Sequence, residues 1–251
     1  MLSWRTKISL GQFLGLQTIM SLNTLLLKNG FPIPATGLSA YEVESVLLNA
    51  PEEQLSSLMG EILRTQGTLR YEVSPRYRFD ERFDDLKRCL LLDGMRIDGR
   101  ELIAIEPTID GTVPLEDDLV RELKKSGLPD REEIARMLNN SAEAFRKIPS
   151  DYNGCLSNAR VALQTLATNI SKHRQATHAG SFDESKWGQV LAYLRTSGLI
   201  SDQEEHGLSG VFTFVSPGAH SPIGLDEGEM TRLGRSLVVS MSYFLIKRHN
   251  G

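Results

Sequence analysis

The sequence predicts a mainly α-helical protein, in which an antiparallel helical bundle follows an N-terminal helical region with one small β-hairpin. Two segments, 150–172 and 226–248, predict the bundle, because their apolar side chains recur three and four residues apart along one helix face. A single strand pair, at about 95–105, predicts the hairpin. We therefore expect two parts, an N-terminal region of residues 1–115 and a helical bundle of residues 116–251.

Start and stop signals in the N-terminal region predict four helices, at about residues 9–27, 41–49, 51–66 and 80–92. Ser9 and Gln12 have the spacing of a capping box, and unbroken helical periodicity follows them. We expect Gly67 to end the third helix, since glycine is common just past a helix C-terminus. The aromatic stretch 71–79 is expected to be extended.

The hairpin is predicted by Asp98-Gly99, a dipeptide favoured in tight turns, between apolar runs at 95–97 and 102–105. Helices followed by a two-stranded ribbon also occur in winged-helix domains that bind DNA. The helix that would enter the groove, residues 80–88, has four acidic residues among nine, which DNA phosphates would repel. We therefore do not expect DNA binding, and interpret the hairpin as packing against the N-terminal helices.

The C-terminal half is predicted to be helical along most of its length. Capping boxes begin at Ser201 and Asp226, each with a glutamate three residues later. The polar stretch 173–182 predicts a loop after the helix 150–172. The inward-facing side chains of that helix are expected to be Leu156, Ala159, Leu163, Leu166 and Ile170. Those of the last helix are expected to be Met230, Leu233, Leu237, Met241 and Phe244.

Composition and charge narrow the class of protein. The net charge is −4, which argues against a general nucleic-acid coat protein. All five histidines lie after Asp151, where acidic and basic residues balance, so a phosphate or nucleic-acid site is more expected there. Cys89 and Cys155 are too far apart for a zinc knuckle and fit a reducing cytoplasm. Polar residues interrupt the apolar stretch 8–27, so we expect neither a membrane span nor a signal peptide.

The stretch 216–224 is the best candidate for a functional loop. Pro217-Gly218 predicts a turn, and Pro222 prevents a helix from continuing through it. His220 is therefore held in a short constrained loop, where it could act as a general acid or base or could hydrogen-bond neighbouring backbone. Two histidines five residues apart, His173 and His178, lack nearby carboxylates, so we expect no metal site; nucleotide and cofactor motifs are absent.

Two short motifs in the C-terminal half resemble a known family. The run 158–166, which carries Arg160 ahead of a stripe of small residues and leucines, is similar to the opening helix of the abortive-infection C-terminal family. Gly218-Ala219-His220, followed by a final apolar helix, resembles the later part of the same domain. That AbiJ-like domain belongs to the HEPN superfamily of helical bundles, and the resemblance covers about residues 150–248 of this chain.

The resemblance implies a cytoplasmic protein of antiphage, abortive-infection type, which works as a homodimer through the bundle and needs no cofactor. Active members are metal-independent endoribonucleases with an arginine, a polar residue and a histidine in one motif. His220 matches the histidine and Ser216 the polar residue, but Val215 stands where the arginine belongs. We therefore expect a degenerate HEPN-like module that binds RNA or a partner protein. The alternative is an endoribonuclease that uses His220, with Arg160 supplying the positive charge.

Lys172 and Arg174 are the candidate substrate contacts. Lys172 is expected to end the first bundle helix and Arg174 to lie in the loop after it, where their charges would contact RNA phosphates; the alternative is a loop that is only solvated.

Overall fold

The computed structural model describes residues 2–34, 38, 40–104, 114–216 and 224–251. These residues form eleven helices and one two-stranded sheet, which confirms the mainly α-helical prediction. The chain divides into two compact units, Met1–Pro114 and Leu115–Gly251. Sequence analysis places the boundary between residues 115 and 116. In the part of the chain that the structure describes, no helix combines the length and the apolar character needed to cross a bilayer.

The helices of the N-terminal unit are α1 (Trp4–Leu14), α2 (Ile19–Lys28), α3 (Ala40–Leu48), α4 (Glu52–Glu72) and α5 (Arg76–Leu92). The predicted single helix over 9–27 is wrong, because the chain breaks between α1 and α2. The hydroxyl of Thr18 accepts a hydrogen bond from the backbone of Ser21 at 3.2 Å and so begins a second helix. Gly67 does not end α4, and only residues 73–75 separate α4 from α5, so the extended segment is much shorter than predicted.

Three aromatic rings form the centre of the N-terminal core. The ring centroids of Phe13 and Phe79 lie 5.0 Å apart, and Phe83 lies within 5.7 Å of both. Helix α1 also packs closely on α3: a Cβ at Gly11 would lie 2.7 Å from Glu44 Cγ and 3.1 Å from its Cα. A larger residue would therefore force α1 and α3 apart, and only glycine fits this helix contact without a shift.

The hairpin consists of β1 (Met95–Asp98) and β2 (Glu101–Ala104), paired antiparallel with Asp98 opposite Glu101. The loop is therefore Gly99 and Arg100, and Gly99 has a φ of +60°, which glycine adopts readily. The predicted hairpin is confirmed. Met95, Ile97 and Leu102 pack against the core of the N-terminal unit, which gives the hairpin the structural role expected from the sequence.

The helices of the C-terminal unit are α6 (Leu115–Lys125), α7 (Arg131–Arg146), α8 (Tyr152–Gln175), α9 (Trp187–Thr196), α10 (Asp202–Phe214) and α11 (Glu227–Asn250). Both predicted capping boxes, at Ser201 and Asp226, are present. Helix α8 packs mainly against α7 and α11, and its predicted apolar stripe is buried from Ala159 to Ile170, with Leu156 partly buried.

The prediction for the inward face of α11 holds in part: Met230 is buried, and Leu237, Met241 and Phe244 pack partly buried against the core. Leu233, expected to face inward, is 38% exposed, whereas Gly234, Arg235 and Ser242 are buried. The helix can approach its neighbours closely at Gly234, since an added Cβ would lie 2.9 Å from a methyl group of Leu156. An assignment based on apolar residues alone therefore missed the part of the buried face that consists of small and polar residues.

Candidate functional site

Arg160 on α8 lies against an aromatic pair in the C-terminal unit. Its guanidinium carbon is 5.2 Å from the ring centroid of Phe212 on α10. The rings of Phe212 and Trp187 are stacked, with centroids 4.4 Å apart and planes inclined by 15°. Arg160 Nε and Trp187 Nε1 are both shielded from solvent and have no hydrogen-bond partner among the described residues. Arg160 therefore joins α8 to α10 by a cation–π contact.

Ser216 follows the C-terminal end of α10, and its hydroxyl donates to the carbonyl of Phe212 at 2.7 Å. Both residues therefore contact Phe212: Arg160 lies over its ring, and Ser216 hydrogen-bonds its backbone carbonyl. His220 lies outside the described residues. The catalytic grouping of His220, Ser216 and Arg160 therefore stays a prediction.

Lys172 and Arg174 are not brought to Arg160. Lys172 comes twelve residues after Arg160 on α8, which is roughly 18 Å along the helix axis. Its ammonium forms an ion pair with Glu184 at 2.6 Å. Arg174 Nε donates to Ser197 Oγ at 2.9 Å, and its Nη2 donates to the Ser197 carbonyl. Arg174 therefore ties the end of α8 to the end of α9, and both predicted phosphate contacts have partners within the unit.

A second group of polar side chains lies where α6, α8 and α11 end, around a cavity of about 570 Å³. We call it the histidine cleft, and its lining residues are Glu122, Lys125, Ser126, His173, Lys247, His249, Asn250 and Gly251. The imidazole rings of His173 and His249 are in edge contact, with centroids 5.0 Å apart and planes at 87°. The cleft therefore brings together two imidazoles and two ammonium groups.

The carboxylate of Glu122 organises the cationic side of the cleft. It accepts hydrogen bonds from Asn250 Nδ2 and Lys125 Nζ, both at 3.1 Å, and Lys247 Nζ lies 3.7 Å away. The hydrogen bonds from Asn250 and Lys125 lower the pKa of Glu122 below its ordinary value of 4.5, so the carboxylate is charged at neutral pH. Lys125 and Lys247 therefore share the single carboxylate of Glu122 on this side of the cleft.

The surroundings of His249 lower its pKa and so favour the neutral imidazole. Burial lowers its pKa below 6.5, and the electrostatic influence of the neighbouring His173 and Arg174 lowers it further. At neutral pH its imidazole therefore keeps one nitrogen able to accept a proton. In chemical terms, the cleft can hold an anion between ammonium groups and can take up a proton beside it.

The lowered pKa of His249 predicts a loss of stability in mild acid. Below pH 6.5 the unfolded chain binds a proton at this residue while the folded chain does not, so the free energy of unfolding decreases as pH falls from 6.5 through the lowered pKa. We expect His249→Gln to reduce this decrease, measured by urea denaturation between about pH 5 and 7.5. His206→Gln, at an exposed position on α10, is the control and should keep the decrease of the original protein.

The sequence offered only a weak signal for the histidine cleft. His173 was assigned to a loop, but α8 continues to Gln175 and places it in the last helical turn. Similar basic triplets end two helices, 172–174 on α8 and 247–249 on α11. Basic residues at helix C-termini are also ordinary partners of the helix dipole, so the triplets alone do not indicate a site.

Comparisons with known proteins match this chain to no protein family, no curated protein and no solved structure. Within residues 2–104 and 114–251, apart from those left undescribed, no three histidine, cysteine or acidic side chains are grouped as metal ligands would be. The fold and the site therefore define a mainly α-helical protein of two units whose C-terminal unit carries a cleft lined by two lysines and two histidines in ring contact.

Proposed function

We propose that the C-terminal unit binds RNA and that the histidine cleft contacts its phosphodiester backbone. The observation that carries this proposal is the grouping of Lys125, Lys247, His173 and His249 around one cavity. Ammonium groups attract phosphate and release its counterions, and imidazole N–H groups donate hydrogen bonds to phosphate oxygens. The sequence resemblance to HEPN-like modules supports RNA as the source of the phosphate.

The salt dependence of RNA binding tests this proposal. We expect Lys125→Gln and Lys247→Gln each to weaken binding of a labelled single-stranded RNA to the full chain, measured by fluorescence anisotropy. Each should also reduce the slope of log affinity against log salt by about 0.7. Glutamine retains a donor for Glu122, so the folded cleft is kept. Lys147→Gln removes one charge from the same unit outside the cleft and is the matched control.

Two outcomes contradict the proposal. Unchanged affinity and slope in the Lys125→Gln/Lys247→Gln double variant would show that RNA binds elsewhere. Failure of the original chain to bind RNA at low salt would leave a partner protein as the ligand of the module.

A second candidate function is metal-independent RNA cleavage in the same cleft, and the neutral imidazole of His249 beside His173 favours it. His249 would accept the proton of a ribose 2′-hydroxyl as the 2′-oxygen bonds to phosphorus. The bond from phosphorus to the 5′-oxygen would break, with His173 donating a proton to the leaving oxygen and the lysines stabilising the extra negative charge. The products would be a 2′,3′-cyclic phosphate and a 5′-hydroxyl.

Incubation of RNA with the protein in EDTA, followed by mass spectrometry of the ends, tests the cleavage reaction. Loss of one proton-transfer group is expected to slow cleavage by about 10²-fold or more in His249→Asn, whereas His206→Asn should cleave normally. Cleavage that His220→Ala abolishes and His249→Asn does not would assign the reaction to the 216–224 loop with Arg160. Absence of cleavage in all chains would leave the binding function alone.

An antiphage role and a homodimer formed through the bundle belong to the same proposal and rest on the sequence resemblance. Light scattering of the purified chain measures the oligomeric state directly. A monomer at micromolar concentration would remove the dimer from the proposal without affecting RNA binding by the cleft.

A further inference from the structure

An exposed group of aromatic and basic side chains lies where α4 ends and α5 begins in the N-terminal unit. Tyr71 on α4 is 76% exposed, and Tyr77 on α5 is 60% exposed. Phe79, two residues after Tyr77 on α5, is fully buried. Arg76 and Arg78 flank Tyr77 and are also exposed. We call these four residues the tyrosine platform. The two tyrosines add little to the core, so their positions are not explained by folding.

The backbone under the platform is held firmly. Val73, in the short link between α4 and α5, is buried. Arg70 near the end of α4 donates two hydrogen bonds to the carboxylate of Asp80 on α5, at 2.6 and 2.7 Å. Tyr71 and Tyr77 are therefore presented from fixed helix ends, and a ligand would not have to order this segment on binding.

The charges of the platform favour an anionic ligand. The guanidinium carbon of Arg76 lies 5.2 Å from the ring centroid of Tyr71. Neither Arg76 nor Arg78 forms an ion pair with any residue that the structure describes. The carboxylate of Glu72 is engaged instead by Ser21, whose hydroxyl donates to it at 2.6 Å. The platform thus offers a guanidinium against the exposed ring of Tyr71, and neither of its arginines is paired with a carboxylate among the described residues.

We infer that the tyrosine platform binds single-stranded RNA, with bases stacked on Tyr71 and Tyr77 and phosphates paired with Arg76 and Arg78. Stacking on aromatic side chains requires unpaired bases, whose faces are exposed in single strands and covered in duplexes. Arginine both pairs with phosphate and stacks on rings, so Arg76 beside Tyr71 can contact a phosphate while a base stacks on an exposed tyrosine ring. The platform belongs to the N-terminal unit and the histidine cleft to the C-terminal unit, and the inference does not rest on the function proposed for that cleft.

Binding of a labelled oligouridine to the full chain tests the inference, with the same strand annealed to its complement for comparison. We expect Tyr71→Ala and Tyr77→Ala each to weaken single-strand binding by about ten-fold. Tyr71→Phe and Tyr77→Phe keep the aromatic face and should bind like the original chain. Arg76→Gln should weaken binding and lower its salt dependence. Because these side chains are exposed, the melting temperature should be unchanged in every variant.

The same measurements in the Lys125→Gln/Lys247→Gln chain separate this site from the cleft. A further ten-fold loss on adding Tyr77→Ala would support the platform even if the cleft does not bind RNA. Equal affinity of the Tyr71→Ala/Tyr77→Ala chain and the original chain would overturn the inference and leave the platform to a protein partner. Tighter binding of the duplex than of the single strand would also overturn it.

Discussion

Replacement of Arg235 by leucine is expected to lower the free energy of unfolding of the C-terminal unit by about 3–5 kcal/mol. Arg235 on α11 is 3% exposed, and its Nη2 donates to the Glu116 carboxylate on α6 at 2.7 Å. The same nitrogen lies 3.4 Å from the carbonyl oxygen of Leu138 on α7. The leucine variant would take from the nearly buried carboxylate of Glu116 the guanidinium that donates to it, which costs more than the ion pair itself contributes.

The double variant Arg235→Met/Glu116→Leu distinguishes a lost charge partner from lost packing. Removing both charges leaves no unpaired buried ion, so we expect it to recover most of the stability lost in Arg235→Leu. Arg136→Met breaks an exposed ion pair with Glu133 on α7 and should cost far less stability than Arg235→Leu, because water screens the exposed pair. Urea denaturation measures all of these values. A loss in Arg235→Leu as small as that in Arg136→Met would contradict the prediction.

Phe79→Ala is expected to lower the stability of the N-terminal unit by about 3–5 kcal/mol, because it removes a fully buried ring and leaves a cavity between Phe13 and Phe83. Tyr77→Ala, two residues earlier on the same helix, is the matched control. Its side chain is exposed, so its substitution should change the stability by no more than about 0.5 kcal/mol.

Tryptophan fluorescence can follow the two units separately, since Trp4 lies in the N-terminal unit and Trp187 in the C-terminal unit. In a Trp187→Phe chain, the denaturation midpoint reported by Trp4 should fall in Phe79→Ala and stay in place in Tyr77→Ala. A midpoint that falls equally in both variants would show that the Phe13, Phe79 and Phe83 cluster is not the centre of that core.

Local hydrogen-bond chemistry explains which parts of the fold could be predicted from the sequence. The capping boxes at Ser201 and Asp226 and the turn at Gly99 depend on residues within a few positions of one another, and all three are present. The break before Thr18 could not be seen, because a short interruption leaves the apolar spacing on both sides nearly in phase. The burial of Arg235 on α11 could not be predicted, because it depends on a partner on α6, which the local pattern does not contain.

The candidate sites depend more than the helix ends and turns do on contacts between residues that are far apart in the sequence. Arg160 could be singled out from its own helix, but its contact with Phe212 follows from how α8 and α10 pack. His173 and His249 meet only because two helices of the bundle end side by side. Apolar periodicity predicts that helices form, whereas the point at which their ends converge depends on the packing of whole helices.

Each unit contains one buried cysteine, whose rate of chemical labelling can report how often that unit opens. Cys89 is buried in the N-terminal unit and Cys155 in the C-terminal unit, and neither is in a disulfide. Burial raises the pKa of the Cys155 thiol, so little reactive thiolate exists while the unit is folded. Alkylation of each thiol must therefore wait for its surroundings to open. The labelling rates of the two peptides thus report the opening of the two units in a single sample of the unaltered protein.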